Sequence, residues 1–112
     1  MNIKVLKSKG CNLPYTEINR RGENCVIIGL DLMDELNLMQ GEIILIIDDY
    51  DGSLCETYVK PGKIGGQEII LSGPALTKIG SISDTLTIMS FAYMNIDSAK
   101  TFKPCLINRK KI

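Results

Sequence analysis

Short apolar stretches rich in β-branched residues, separated by turn residues at intervals of roughly ten to fifteen positions, set the fold of this chain more than any other feature. Residues 3–6, 25–28, 42–48, 54–59, 68–71 and 85–94 are the predicted strands, and such a series reads as a mainly β barrel or sandwich. Residues 31–38 break the pattern: their apolar positions fall at helical spacing, and Asp31 is placed to cap the start. A second helical turn is predicted at 75–79, after Gly73-Pro74 and before Gly80 as a stop. Asp51-Gly52, between two strands, is a hairpin signal. The polar tail from Asn95, ending in Arg109-Lys110-Lys111, is expected to wrap the surface or fray.

The chain has 112 residues, 45% of them hydrophobic, so a single domain over 1–112 with a real core is expected. Thirteen basic residues balance thirteen acidic ones, which points away from nucleic acid or an anionic membrane as partner. The longest apolar run, 43–47, is too short to span a bilayer. Lys4, Lys7 and Lys9 stand where a secretory apolar region should begin, so a cytoplasmic location is expected. The four cysteines (Cys11, Cys25, Cys55, Cys105) form no CxxC pair and there is no histidine, so no metal site is expected. In a reducing compartment these thiols read as buried side chains or reactive groups rather than disulfide halves. Lack of histidine also removes the Cys-His and Ser-His nucleophile pairs, so an enzyme here needs another electron sink or base.

Several segments taken in order carry a resemblance: Lys9 in the first loop, Glu23-Asn24-Cys25, residues 31–42, residues 52–58 ending in Thr57-Tyr58, Ser72-Gly73-Pro74-Ala75, Ser83-Asp84 leading to residues 90–94, and Thr101-Phe102-Lys103-Pro104. In order and spacing the chain resembles the aspartate 1-decarboxylase family over nearly its whole length. The resemblance implies a double-psi β-barrel with one or two short helices, assembled as a homotetramer with active sites between subunits. It also implies a proenzyme that cuts itself, leaving a pyruvoyl group whose ketone condenses with the substrate amine and draws electrons from the carboxylate bond. The product would be β-alanine, for pantothenate synthesis.

The family's scission pair is Gly-Ser, and Asn24-Cys25 matches it here. A thiolate is a better nucleophile than a hydroxyl; attack on the Asn24 carbonyl would give a thioester, elimination a thiocarboxylate, and the pyruvoyl product would be unchanged. Asn24 is the non-glycine residue best suited to the positive φ that the family's glycine can adopt. By itself Cys25 also reads as a small buried residue opening a strand. Thr57-Tyr58 matches a pair in which the threonine assists processing and the tyrosine, a phenol protonated at neutral pH, donates a proton to the decarboxylated carbon; without the resemblance both are simply good strand formers. Lys9 matches a lysine near the substrate carboxylates, although loop lysines are ordinarily solvated. Ser72 replaces an asparagine near the pyruvoyl group and keeps one hydrogen bond with shorter reach. Gly73, Pro74 and Ala75 supply turn backbone to the substrate site.

Leu54 is the sharpest departure, standing where the family has an arginine that grips the substrate's side-chain carboxylate. Loss of such a contact costs about 3–5 kcal/mol when the carboxylate is left buried and unpaired. The residues leave three readings: a pyruvoyl amino-acid decarboxylase, for aspartate or for a less acidic amino acid that fits beside Leu54; an uncleaved relative serving as a binding or regulatory module; or a double-psi barrel of another kind.

Overall fold

A computed structural model describes residues 1–80 and 85–110. Among the described residues the chain is mainly β, in the order β1 (Asn2–Pro14), β2 (Glu17–Asn19), β3 (Cys25–Ile28), α1 (Leu30–Glu35), β4 (Ile43–Asp48), β5 (Leu54–Pro61), β6 (Ile69–Ser72), α2 (Pro74–Gly80), β7 (Thr85–Asn95), α3 (Ile96–Thr101) and β8 (Cys105–Asn108). The strands hydrogen-bond in the order β2-β6-β3-β5-β4-β7-β1-β8. Their inner faces enclose a core of Leu13, Val26, Ile28, Ile44, Ile46, Val59, Leu71 and Ile88, completed by Leu32, Leu36 and Leu76 from the helical segments. All six predicted strands and both predicted helices are present, and the Asp51-Gly52 hairpin joins antiparallel β4 and β5 with Gly52 at φ +75°.

Three expectations are corrected. The first strand runs to Pro14, so Lys9 lies in β1, half-buried, and not in a loop. Its polar inward positions hide the strand pattern: Ser8 is fully buried because its hydroxyl meets that of Ser90 at 2.5 Å. Irregular register between Gly10 and Leu13, with Asn12 at φ +55°, then bends the strand.

Helix α1 begins at Leu30, with Gly29 as N-cap and no side-chain cap, so Asp31 does not cap it. Backbone from the 63–66 loop does that work, since the N–H of Leu30 bonds Lys63 and those of Asp31 and Leu32 bond Gly66. The close approach needs glycine at 29, where a Cβ would lie 2.3 Å from Gly66 backbone. The helix stops at Glu35, short of residue 38, as Asn37 turns to φ +54°.

The polar tail is ordered secondary structure. Asn95 accepts the Ser98 N–H at 2.8 Å and caps α3, and β8 then pairs parallel with β1, Ser8 opposite Cys105. Arg109 beyond it pairs with Glu35. The Ser83-Asp84 segment and Lys111 lie outside the described residues.

The pairing of β3 sets which side chains meet at its start. It lies antiparallel to β6, with Cys25 opposite Ser72, and parallel to β5, with Val26 opposite Val59 and Ile27 opposite Lys60. Parallel neighbours need a crossover, and α1 with β4 supplies it.

Candidate active site

At the start of β3 the Cys25 side chain is 1% exposed, and Ser72 across the β6 ladder is 3% exposed. After Ser72 the chain turns at Gly73, φ +92°, into α2. Only glycine serves there, for conformation and for space: a Cβ on Gly73 would stand 2.1 Å from Asn24 Oδ1 and 2.6 Å from its Cα. The same Asn24 Oδ1 accepts the Ala75 N–H at 3.1 Å. The Asn24 side chain is therefore seated in the β6-α2 turn. Its own φ is not in the left-handed region, which among the described non-glycine residues holds Asn12 and Asn37; the positive φ sits across the contact, at Gly73.

From the other side Thr57 of β5, whose side chain faces inward, donates its hydroxyl to the Asn24 carbonyl at 3.4 Å. That carbonyl belongs to the peptide bond joining Asn24 to Cys25. A hydroxyl donor there withdraws electron density from the carbonyl carbon and can stabilise an oxyanion formed on it.

Strand alternation sends Tyr58 and Lys60 of β5 to the opposite face from Thr57 and Val59, which is the face of Cys25 and Ile27 in β3. Glu23 reaches both: its carboxylate pairs with the Lys60 ammonium and accepts the Tyr58 hydroxyl. These contacts, Lys60 first and Tyr58 second, hold the Glu23 carboxyl below the ordinary carboxylate range. The bond to Glu23 in turn raises the Tyr58 phenol and the Lys60 ammonium above their usual values, so both keep their protons at neutral pH.

Asn24, Thr57, Tyr58 and Ala75, with Ile43 and Cys55, line a cavity of about 230 Å3. A larger cavity of about 540 Å3 lies elsewhere, walled by Leu13, Leu32, Ile69 and Arg109. We assign the smaller one to the site, because the larger meets none of these polar groups.

Of the sequence-predicted site residues, the structure brings together Asn24, Cys25, Thr57, Tyr58, Ser72, Gly73 and Ala75, with Pro74 opening α2 beside them. Two stand apart within the chain. Lys9 pairs across strands with Met89 and Leu106, and Leu54, 63% exposed, stands opposite Ile47 at the far end of β5; neither lines the cavity.

Comparison with known proteins decides the family. A family model described as aspartate decarboxylase matches residues 1–111. The chain belongs to the aspartate decarboxylase family. Aspartate 1-decarboxylase of Porphyromonas gingivalis is 39% identical over 107 residues, covering 96% of this chain and 90% of the relative. That of Phocaeicola vulgatus is likewise 39% identical, over 96% of this chain and 91% of its own. A computationally designed double-psi β-barrel protein superimposes with a TM-score of 0.50 and 13% identity, covering 82% of this chain and all of that one, so the fold is a double-psi β-barrel.

Within this aspartate decarboxylase family member, sequence reasoning left Glu23 and Lys60 without roles and did not bring Cys55 to the cavity. Lys60 had one signal, its place two residues after Tyr58 and so on the same strand face. For Glu23 the signal was adjacency to Asn24.

Proposed function

We propose that this protein is a pyruvoyl-dependent amino-acid α-decarboxylase that cuts itself between Asn24 and Cys25, by resemblance converting aspartate to β-alanine and carbon dioxide in the cytoplasm. The observation that carries this reading is the Thr57 hydroxyl on the Asn24 carbonyl, directly before a buried cysteine.

Cys25 sulfur attacks that carbonyl carbon: the S–C bond forms, the C–N bond to Cys25 breaks, and the thiol proton passes to the freed amine. Thr57 holds the oxygen while it carries charge. Loss of the Cys25 α-proton then expels the Asn24 thiocarboxylate, and water replaces the nitrogen, releasing ammonia and leaving a ketone at the new N-terminus. The residues fit such a group in that Ser72 lies across from its position and the cavity ends one residue away, at Asn24. Once formed, the ketone would supply an electron sink for loss of the substrate carboxylate. Tyr58, protonated at neutral pH, is the acid that returns a proton to the substrate carbon. Ser72 and the Gly73-Pro74-Ala75 turn orient the substrate.

Lys9 and Leu54 enter as substrate contacts only through a neighbouring subunit, as the implied homotetramer requires. Exposed Ile43, Leu54, Tyr93 and Leu106 favour such self-association. One observation favours the alternative of an uncleaved binding or regulatory relative: Cys25 is 1% exposed and the cavity stops at Asn24. Intact-mass spectrometry beside a denaturing gel separates the two. Two fragments divided after Asn24, the larger starting in a ketone and not a thiol, are expected. A chain that stays whole through long incubation would sink the decarboxylase.

A further inference from the structure

Leu54 offers no charge to a substrate carboxylate, and Lys9 stands on another strand. A cation nevertheless lies beside Tyr58. In parallel register Lys60 stands opposite Ile27, on the face shared with Tyr58 and Cys25, and strand spacing puts its Cα roughly 7–8 Å from that of Cys25, within the reach of a lysine side chain. Its ammonium and the Tyr58 hydroxyl, two residues apart, converge on a single carboxylate, that of Glu23. The seat opens to solvent, the Lys60 and Glu23 side chains being 46% and 55% exposed. We propose that Lys60, beside Tyr58, is the cation that receives the side-chain carboxylate of an acidic amino-acid substrate, and that Glu23 fills this carboxylate seat until the chain is cut. The inference rests on the decarboxylase reading for its substrate, though not for the seat itself.

Chain connectivity makes Glu23 a removable occupant. In the intact chain it is tethered on both sides, by β2 ending at Asn19 and by β3 starting at Cys25, so its carboxylate is presented to Lys60 at high effective concentration. A cut between Asn24 and Cys25 makes Glu23 the penultimate residue of the N-terminal fragment, tethered on one side only. Its hold weakens and a free carboxylate can compete. Glu56, the other charged group on this face of β5, is exposed on the Leu54 side of Tyr58. Its charge repels a substrate carboxylate from the Leu54 end and favours the Lys60 end. The substrate class is then an amino acid with a side-chain carboxylate, bound by the Lys60 ammonium.

The test uses the full chain with Cys25→Ala, which cannot cut itself, and succinate, a dicarboxylate with no amine to react. Calorimetric titration should give binding to Cys25→Ala/Glu23→Gln up to roughly fivefold tighter than to Cys25→Ala alone, as expected for a half-exposed charge pair. Adding Lys60→Met should abolish that gain and adding Lys60→Arg should keep it. Equal binding with and without Lys60→Met, or no gain from Glu23→Gln, overturns the proposal; circular dichroism of each variant, with Lys60→Arg as the conservative comparison, guards against misfolding. In the processed protein, Lys60→Met should raise KM for aspartate roughly fivefold with kcat little changed, and an unchanged KM also overturns it. A wild-type chain that never cuts itself refutes the decarboxylase reading alone, and the succinate titration still decides the seat.

Discussion

Replacing Gly73 by alanine tests whether the β6-α2 turn and Asn24 are built around each other. Two costs add at this position. With φ at +92°, an L-residue pays about 1–2 kcal/mol for the left-handed backbone. The new Cβ also meets Asn24 Oδ1 at 2.1 Å and Asn24 Cα at 2.6 Å, an overpacking worth about 1–3 kcal/mol. The sum, about 2–5 kcal/mol, is a large part of the 5–15 kcal/mol that holds a typical domain together. Gly41 supplies the control: its φ is +83°, yet a Cβ there meets nothing within 4 Å, so Gly41→Ala should cost only the backbone part. Urea unfolding of the two variants in a Cys25→Ala background gives the difference directly. Adding Asn24→Gly to Gly73→Ala removes the contacts with Oδ1 and Cγ but not with Cα, so stability should return in part. In the reactive chain, Gly73→Ala should also slow scission by moving the Asn24 carbonyl off Thr57. If Gly73→Ala and Gly41→Ala cost the same to within about 0.5 kcal/mol, the resolution expected for independent sites, the steric argument is refuted.

Thr57→Val keeps the shape of the side chain and deletes the donor to the Asn24 carbonyl; a hydrogen bond worth about 1–1.5 kcal/mol there predicts scission slowed about tenfold, timed on a denaturing gel, and an unchanged rate removes Thr57 from the reaction. Glu23 sets a pH dependence. Its folded-state pKa is lowered by Lys60 and Tyr58, so its contribution to stability is complete above the ordinary carboxylate range and is lost as pH falls through the lowered value. Glu23→Gln should therefore flatten the acid limb of stability against pH, measured by urea midpoints. A limb of unchanged slope would show that the Glu23-Lys60 pair is not coupled to folding.

Strands that alternate β-branched residues with partners on both sides, such as β4 and β5, were legible because burial and propensity agree along them. β1 was legible only at its start, because Ser8 and Gly10 occupy buried positions that carry no apolar signal. The start of α1 was misread for another reason: its free N–H groups are satisfied by Lys63 and Gly66 backbone, about thirty residues away, and no residue type announces that. The same distance in sequence hid half of the site. Residues next to Asn24-Cys25 could be read from motif order. The meeting of Glu23 with Lys60 depends on the parallel register of β3 on β5, which only the assembled sheet defines. Leu54 was placed by motif order, and within a single chain the fold leaves it exposed on β5, outside the cavity, where a neighbouring subunit could meet it.

The seating of β1 between β7 and β8 has a consequence for a chain that breaks after Asn24. The smaller piece would carry away no peripheral tag; it would own an interior strand of the sheet, with Leu13 in the core, and would stay in place through that ladder, the pairing of β2 with β6 and its core contacts, with no covalent link. Unfolding would then release two polypeptides in place of one, and recovery would require them to find each other again. The melting temperature of such a protein rises with its concentration, as it does for any complex that must reassemble. Dilution, harmless to the uncut chain, would become a way to unmake it.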